Sequence, residues 1–137
     1  MTSTHAHDAL ILAGRVLIAS LFIPSGLNKL IGFSGIAAFI ASKDVPLPEV
    51  CAAIAIAAEL GLGLLVLVGW RARIAAVGLA IFVAVITPVF HHYWDLPPAQ
   101  SALQQQAFNK NVAIIGGLLL LAAFGPGRLA LQRKATP

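Results

Sequence analysis

The chain has 137 residues, of which 59% are hydrophobic and 10% charged, with a formal net charge of +4. A soluble domain usually carries roughly 25% charged residues, so this composition excludes an ordinary soluble domain and predicts an integral membrane protein. The positive charges lie at loop ends and helix termini rather than on one basic face, which argues against nucleic acid as a partner. The single cysteine, Cys51, excludes an internal disulfide, a CxxC redox pair and an iron–sulfur site.

The first apolar stretch predicts a membrane helix over about residues 9–31. No Lys or Arg precedes it and Arg15 interrupts it, so we expect a retained helix rather than a cleaved signal peptide. Arg15, Gly26 and Lys29 fall on one helix face, which should point into the protein because charges in membrane helices rarely face lipid. In the connection that follows, residues 34–42 are apolar but too short to span, and they predict a short helix at the membrane interface.

The second span is predicted over residues 49–69 and carries one acid, Glu59, close to its middle. A carboxylate at that depth costs a few kcal/mol or more unless it is paired, neutralised or hydrated. Ala52, Ala55 and Gly63 share its helix face, and these small residues allow a neighbouring helix to approach closely.

The third span is predicted over residues 72–90 and ends in the sequence HHYWD. Trp70, just before this span, is placed as an anchor at the membrane interface. His91 shares a helix face with Thr87, whereas His92 points about 100° away. Two adjacent histidines on one helix cannot supply both axial ligands of one haem, so hydrogen bonding is the favoured role for His91 and no metal site is predicted.

The fourth span is predicted over residues 108–124, with an alternative start near residue 99. Only residues 112–124 are strictly apolar, so the helix must include the polar sequence Asn-Lys-Asn at its outer end. A lysine in the first turns of a helix opposes the helix dipole, so we expect another interaction to retain Lys110 there.

Four spans place both termini on one side of the membrane. That side carries five basic residues: Arg71, Arg73, Arg128, Arg133 and Lys134. The other side carries three: Lys29, Lys43 and Lys110. The positive-inside rule therefore predicts that both termini are cytoplasmic in a multi-pass protein of the inner (plasma) membrane.

The antiparallel arrangement of the first two spans suggests a partner for Glu59. If Ala19 lies at the depth of Glu59, then Arg15 lies one helical turn deeper, about 6 Å along the axis. This small separation predicts an Arg15–Glu59 pair. Two interpretations stay open: a structural ion pair that fixes helix register, or the floor of a polar cavity that opens outward. Lys29 and Lys110 either border this cavity or extend to lipid head groups. The candidate ligand-binding residues are Arg15, Lys29, Glu59, His91, Lys110 and Asn111.

Three segments, in order and at these spacings, carry a family resemblance: RVLIASLFIPSGLNKLIGF, then AELGLGLLVLVGWRAR, then HHYWD followed by FNKNVAIIGGLLLLAAFGPGR. Along nearly its whole length the chain resembles the DoxX family of small four-helix membrane proteins. The family takes its name from a membrane subunit of an archaeal thiosulfate:quinone oxidoreductase, and other relatives are linked to oxidative-stress and thiol-oxidoreductase complexes. The resemblance implies the same recurrent polar positions: Arg15, Lys29, Glu59, His91, Lys110 and Asn111.

The resemblance favours an oxidoreductase-associated membrane subunit linked to a quinone or a sulfur compound. The excess of inward cations favours an anionic or carbonyl-bearing ligand. The sequence has no CxxCH motif, so no haem is covalently attached; a quinone is the candidate cofactor, and electron transfer requires a partner oxidoreductase. The alternative is a non-catalytic component that docks or stabilises a partner complex. A small transporter is less expected, because four short helices leave little lumen unless the chain forms a homo-oligomer.

Overall fold

A computed structural model describes residues 2–132 of the chain, with side chains described from residue 5. Within these residues the protein is all helical, so the predicted fold class is confirmed. A π-helical turn, Ala57–Leu62, joins the two halves of the second span. The helices are α1 Thr2–Ile31, α2 Phe33–Ala41, α3 Pro48–Ile56, α4 Gly63–Val68, α5 Ala72–Phe90 and α6 Pro98–Phe124. Arg133 and Lys134 lie outside the described residues.

Four helical stretches are long and apolar enough to cross a membrane, as the composition predicts. They are His5–Ile31, Pro48–Val68, Ala72–Phe90 and Pro98–Phe124. The fourth starts at Pro98 rather than at residue 108, close to the alternative start near residue 99. Proline is favoured at the first helical position because its fixed φ suits the helix and its missing N–H is not needed there. Glutamine and alanine, which are good helix formers, follow it.

The spans pack chiefly on their neighbours in sequence: α1 on the second span, the second span on α5, and α5 on α6. Val66, Leu79 and Leu118 are fully buried where the last three spans meet. Most other large apolar side chains on the spans point outward. Such a continuous apolar exterior is what a lipid environment requires.

The predicted short helix between the first two spans is confirmed as α2. Its buried face, Ala37 and Ile40, packs against Ala52 of α3. The ring of Phe39 stacks on the ring of Phe90, with centroids 5.7 Å apart, and ties α2 to the end of α5. Its position at the membrane interface stays a prediction.

The segment after α6, residues 125–132, folds back along the end of the second span; we call it the strap. The Leu131 N–H donates to the Val68 carbonyl (2.9 Å), and the Gln132 N–H donates to the Gly69 carbonyl (3.3 Å). The backbone N–H of Arg128 donates to the Asp8 carboxylate (3.2 Å). The start of α1 and the strap therefore meet at one end of the bundle, here called the strap end.

Gly26 sets the closest approach of α1 to the second span. A Cβ atom there would lie 2.8 Å from Leu60 Cγ and 3.0 Å from the Leu60 backbone nitrogen and from Glu59 Cβ. We expect Gly26→Ala to destabilise the protein by about 1–3 kcal/mol, because the backbone of the second span cannot yield without shifting the helix. Thermal unfolding in a mild detergent measures this effect.

Gly14→Ala is the matched control, since it lies on the same helix and a Cβ there would meet nothing within 4 Å. This change should leave stability unchanged or raise it by up to about 1 kcal/mol, because alanine favours helix more than glycine does. Equal melting temperatures for the two variants would contradict the close approach at Gly26.

Candidate functional site

Glu59, near the middle of the second span, forms an ion pair with Lys29, in the last turn of α1. The Lys29 Nζ atom lies 2.9 Å from Glu59 Oε2 and 3.0 Å from Oε1, and donates to both. Its third contact is Ser25 Oγ, one turn earlier on α1, at 2.6 Å. Glu59 is only 4% exposed, whereas the Lys29 side chain retains 24% of its accessible surface. The carboxylate is thus the buried member of the pair, and the ammonium is the member nearer the surface.

The helix directions explain why Lys29 reaches Glu59. Side chains in α-helices point back toward the N-terminus of their own helix. Since α1 and the second span run antiparallel, Lys29 and Glu59 extend toward each other from positions about one turn apart. Glu59 also lies in the π-helical turn Ala57–Leu62. Such turns are rare in proteins and occur frequently at functional sites.

An open groove lies beside the Lys29 ammonium. Its volume is about 340 Å³. The lining residues are Ser25, Asn28, Lys29, Gly32, Gly35 and Ile36. The lining therefore combines hydroxyl, amide and ammonium groups with apolar surface on α1 and α2. This arrangement can hold an oxygen-bearing group against an apolar wall.

The predicted Arg15–Glu59 pair is wrong. Arg15 is 2% exposed, so its inward orientation is confirmed, but its guanidinium binds four backbone carbonyls instead. Nε donates to Val66 (2.9 Å) and Nη2 to Leu67 (2.5 Å). Nη1 donates to Pro126 (2.8 Å) and to Leu129 (2.6 Å).

The register of the first two spans accounts for this error. Gly26, not Ala19, lies level with Glu59, which is a shift of about two helical turns, or ~10 Å. The Arg15 side chain also points toward the N-terminus of α1, away from Glu59. It therefore reaches the carbonyl end of the second span, where the helix dipole favours a cation.

His91 and Asn111 make separate hydrogen bonds between α5 and α6. His91 Nδ1 lies 2.8 Å from Gln104 Oε1, so it carries the proton and donates to the amide oxygen. The Asn111 side-chain amide donates to Thr87 Oγ1 at 3.0 Å, and both residues are buried. The hydrogen-bonding role favoured for His91 is confirmed, whereas sequence reasoning did not find Gln104 as its partner.

Lys110 does not face the bundle interior, so it does not border a polar cavity there, and its extension to lipid head groups stays a prediction. Its side chain is exposed, and it makes no hydrogen bond or ion pair with any described residue. The reason is helical geometry: Asn111 is turned inward to meet Thr87, and adjacent residues on a helix lie about 100° apart. Among the described residues, no group of three or more His, Cys, Asp or Glu side chains is placed to hold a metal ion.

Sequence reasoning also did not find the role of Arg73. Its guanidinium donates to the carbonyls of Ala122, Ala123 and Phe124, the last residues of α6. Arg15 and Arg73 therefore cap the carbonyl ends of two spans at the strap end. A basic residue facing the last turn of a neighbouring helix is the signal that could have indicated this.

Four apolar spans, with a lysine–glutamate ion pair between the first two, define a small multi-pass integral membrane protein. A sequence profile of the DoxX family matches residues 10–92, and the chain belongs to this family. It is similar to "Inner membrane protein YphA" of Escherichia coli (strain K12), with 38% identity covering 94% of this chain and 92% of the relative. It is also similar to "Inner membrane protein YqjF" of the same strain, with 33% identity covering 92% of each chain. No solved structure matches the chain.

Proposed function

We propose that the protein is an inner-membrane subunit of an oxidoreductase system that binds a quinone or a sulfur oxyanion in the groove beside Lys29. The observation that carries this proposal is the buried Glu59 in a π-helical turn, paired with an ammonium that borders the groove. The names of the E. coli relatives support a location in the inner membrane. The family resemblance supports an association with an oxidoreductase system. The concentration of arginines at the strap end supports a cytoplasmic orientation for that end.

Stability alone is a weak reason for such a pair. Apolar residues of similar volume often stabilise a buried site as well as an ion pair does, because removing two charges from water carries a large penalty. Ionisable residues inside membrane spans are accordingly functional candidates. In this chain the pair is also placed where a ligand can reach Lys29.

The groove residues fit the head group of a quinone. A carbonyl oxygen could accept a hydrogen bond from the Lys29 ammonium in place of Ser25 Oγ, while Glu59 keeps the charge balanced. Asn28 offers a second donor at the groove, and Ile36 offers apolar contact. A quinone would supply two-electron redox chemistry there, and the partner oxidoreductase would supply or accept the electrons.

A specific observation favours a second candidate, a non-catalytic component that docks or stabilises a partner complex. Among the described residues, every buried side-chain nitrogen and oxygen has a hydrogen-bond partner within the chain. The polar core is therefore complete without a ligand. In this candidate the Lys29–Glu59 pair fixes helix register, and the partner binds elsewhere.

Quinone retention separates the two candidates. We expect protein purified in mild detergent to retain quinone, and Lys29→Met to lower the retained amount at least about tenfold, since a lost charge-assisted hydrogen bond contributes about 1.5–3 kcal/mol. Extraction followed by mass spectrometry, and titration with a short-chain quinone or thiosulfate, measure both ligand classes.

Lys43→Met is the matched control, because Lys43 lies outside the groove and its ammonium is placed over the Phe39 ring instead. Equal retention by wild type and Lys29→Met, or no retained or titrated ligand in the wild type, would contradict the proposed site. Loss of a co-purifying partner in Lys29→Met without any change in ligand would support the second candidate instead.

A further inference from the structure

We propose that the strap end of the bundle is a docking surface for anionic phospholipid head groups. Three exposed arginines lie there, at the start of α5 and in the strap: Arg71, Arg73 and Arg128. Asp8 is the acid that the described residues place beside them. The guanidinium is well suited to phosphate, since it presents several N–H donors in a fixed plane and is weakly hydrated.

The local structure fixes the position of two of these arginines, Arg71 and Arg73. The Arg71 guanidinium lies over the Trp70 ring, 5.5 Å from its centroid. The Arg71 backbone N–H donates to the side chain of Gln132 (2.8 Å), so the strap holds the start of α5 in place. The Arg73 guanidinium is fixed on the last carbonyls of α6. These two guanidinium groups are therefore held in place by contacts within the chain.

The neighbouring side chains favour lipid over a soluble acidic partner. Trp70 is 49% exposed, and Leu129 and Leu131 in the strap are 50% and 74% exposed. Cations interleaved with exposed apolar groups match the boundary between head groups and acyl chains, where tryptophan is enriched. An exposed cation near an anionic membrane surface gains favourable energy that salt screens.

The opposite end of the bundle lacks this excess of positive charge. Its lysines are Lys29, Lys43 and Lys110, and Glu59 neutralises the first of them. Three further acids lie at that end: Asp44 and Asp95 in the connections, and Glu49 in the first turn of α3. Only the strap end therefore has a charge complementary to anionic lipid among the residues that the structure describes.

The two tryptophans allow a direct test, because Trp70 lies at the strap end and Trp94 lies at the opposite end. The full chain is reconstituted as Trp94→Phe, leaving Trp70 as reporter, or as Trp70→Phe, leaving Trp94. The vesicles contain phosphatidylcholine with 20% phosphatidylglycerol, and bromine is carried by one lipid or the other. We expect brominated phosphatidylglycerol to quench Trp70 more strongly than the fraction of this lipid in the bilayer predicts. The quenching of Trp94 should match that fraction.

Arg71→Gln and Arg128→Gln should each lower the enrichment at Trp70 by about fivefold in binding constant, from the energy of one basic residue near an anionic surface. Lys43→Gln and Lys110→Gln are the matched controls and should not change it. Raising the salt concentration should lower the enrichment in the wild type. Three results would each overturn the proposal. Quenching of Trp70 could follow the bulk lipid composition, or the enrichment could be equal at both tryptophans. The enrichment could also persist in the double variant that combines Arg71→Gln with Arg128→Gln.

Discussion

Arg15→Ala should lower the free energy of unfolding by about 3–5 kcal/mol, the range seen when a buried charged group loses its network. Arg15 is 2% exposed, and its guanidinium donates to four carbonyls, two at the end of the second span and two in the strap. Alanine removes all four hydrogen bonds, leaves these carbonyls without their donor and opens a cavity. Thermal unfolding in a mild detergent measures the change.

Arg71→Ala is the matched control, because Arg71 lies at the same end but is exposed, and its guanidinium makes no hydrogen bond within the described residues. Its effect on stability should stay within about 0.5 kcal/mol. Arg15→Lys should fall between the two, since an ammonium is a compact charge that cannot span four carbonyls. If Arg15→Ala melted like Arg71→Ala, the strap would not depend on Arg15.

The spans were predictable because they follow from composition alone. A run of about 20 apolar residues must cross the membrane as a helix, since every backbone polar group has to be satisfied within it. The inward face of α1 was predictable for a similar reason, because a charge inside the membrane avoids lipid. Arg15 on that face is buried accordingly.

Predicting the partners of the charged residues required the register of the helices, and apolar sequences specify this register weakly. The approach of Gly26 to the second span decides that register, and several small residues on each helix could have made this contact. The direction of helical side chains was a usable signal, because it turns Lys29 toward Glu59 and Arg15 away from it. That argument favours the observed pair even with an uncertain register.

The carbonyl groups that bind Arg15 could not be predicted from the sequence, for a different reason. The Gly-Pro-Gly sequence after α6 indicates where the helix stops but not where the chain goes next. Any residue type offers a carbonyl, so Pro126 and Leu129 carry no signal of their role in binding Arg15. The π-helical turn could not be predicted from the sequence either, because its alanine, leucine and glycine residues also suit an ordinary α-helix in a membrane.

The Lys29–Glu59 pair should show strong coupling in a double-mutant cycle. We expect Lys29→Met and Glu59→Met each to lower the free energy of unfolding by about 3 kcal/mol, because each leaves a charge without its partner. The double variant should return to within about 1 kcal/mol of the wild type, since two methionines fill similar volume and carry no charge. Thermal unfolding of all four proteins in the same detergent gives the coupling energy.

A cycle that pairs Glu59→Met with Lys110→Met is the control, because Lys110 is exposed and makes no ion pair with the described residues. The effects of these two changes on the free energy of unfolding should be additive to within about 0.5 kcal/mol. The double variant of Lys29 and Glu59 also separates folding from function: it should fold and yet fail to retain the ligand that the wild type carries. If it retained that ligand fully, the pair would serve helix packing, and the binding site would have to be sought elsewhere in the bundle.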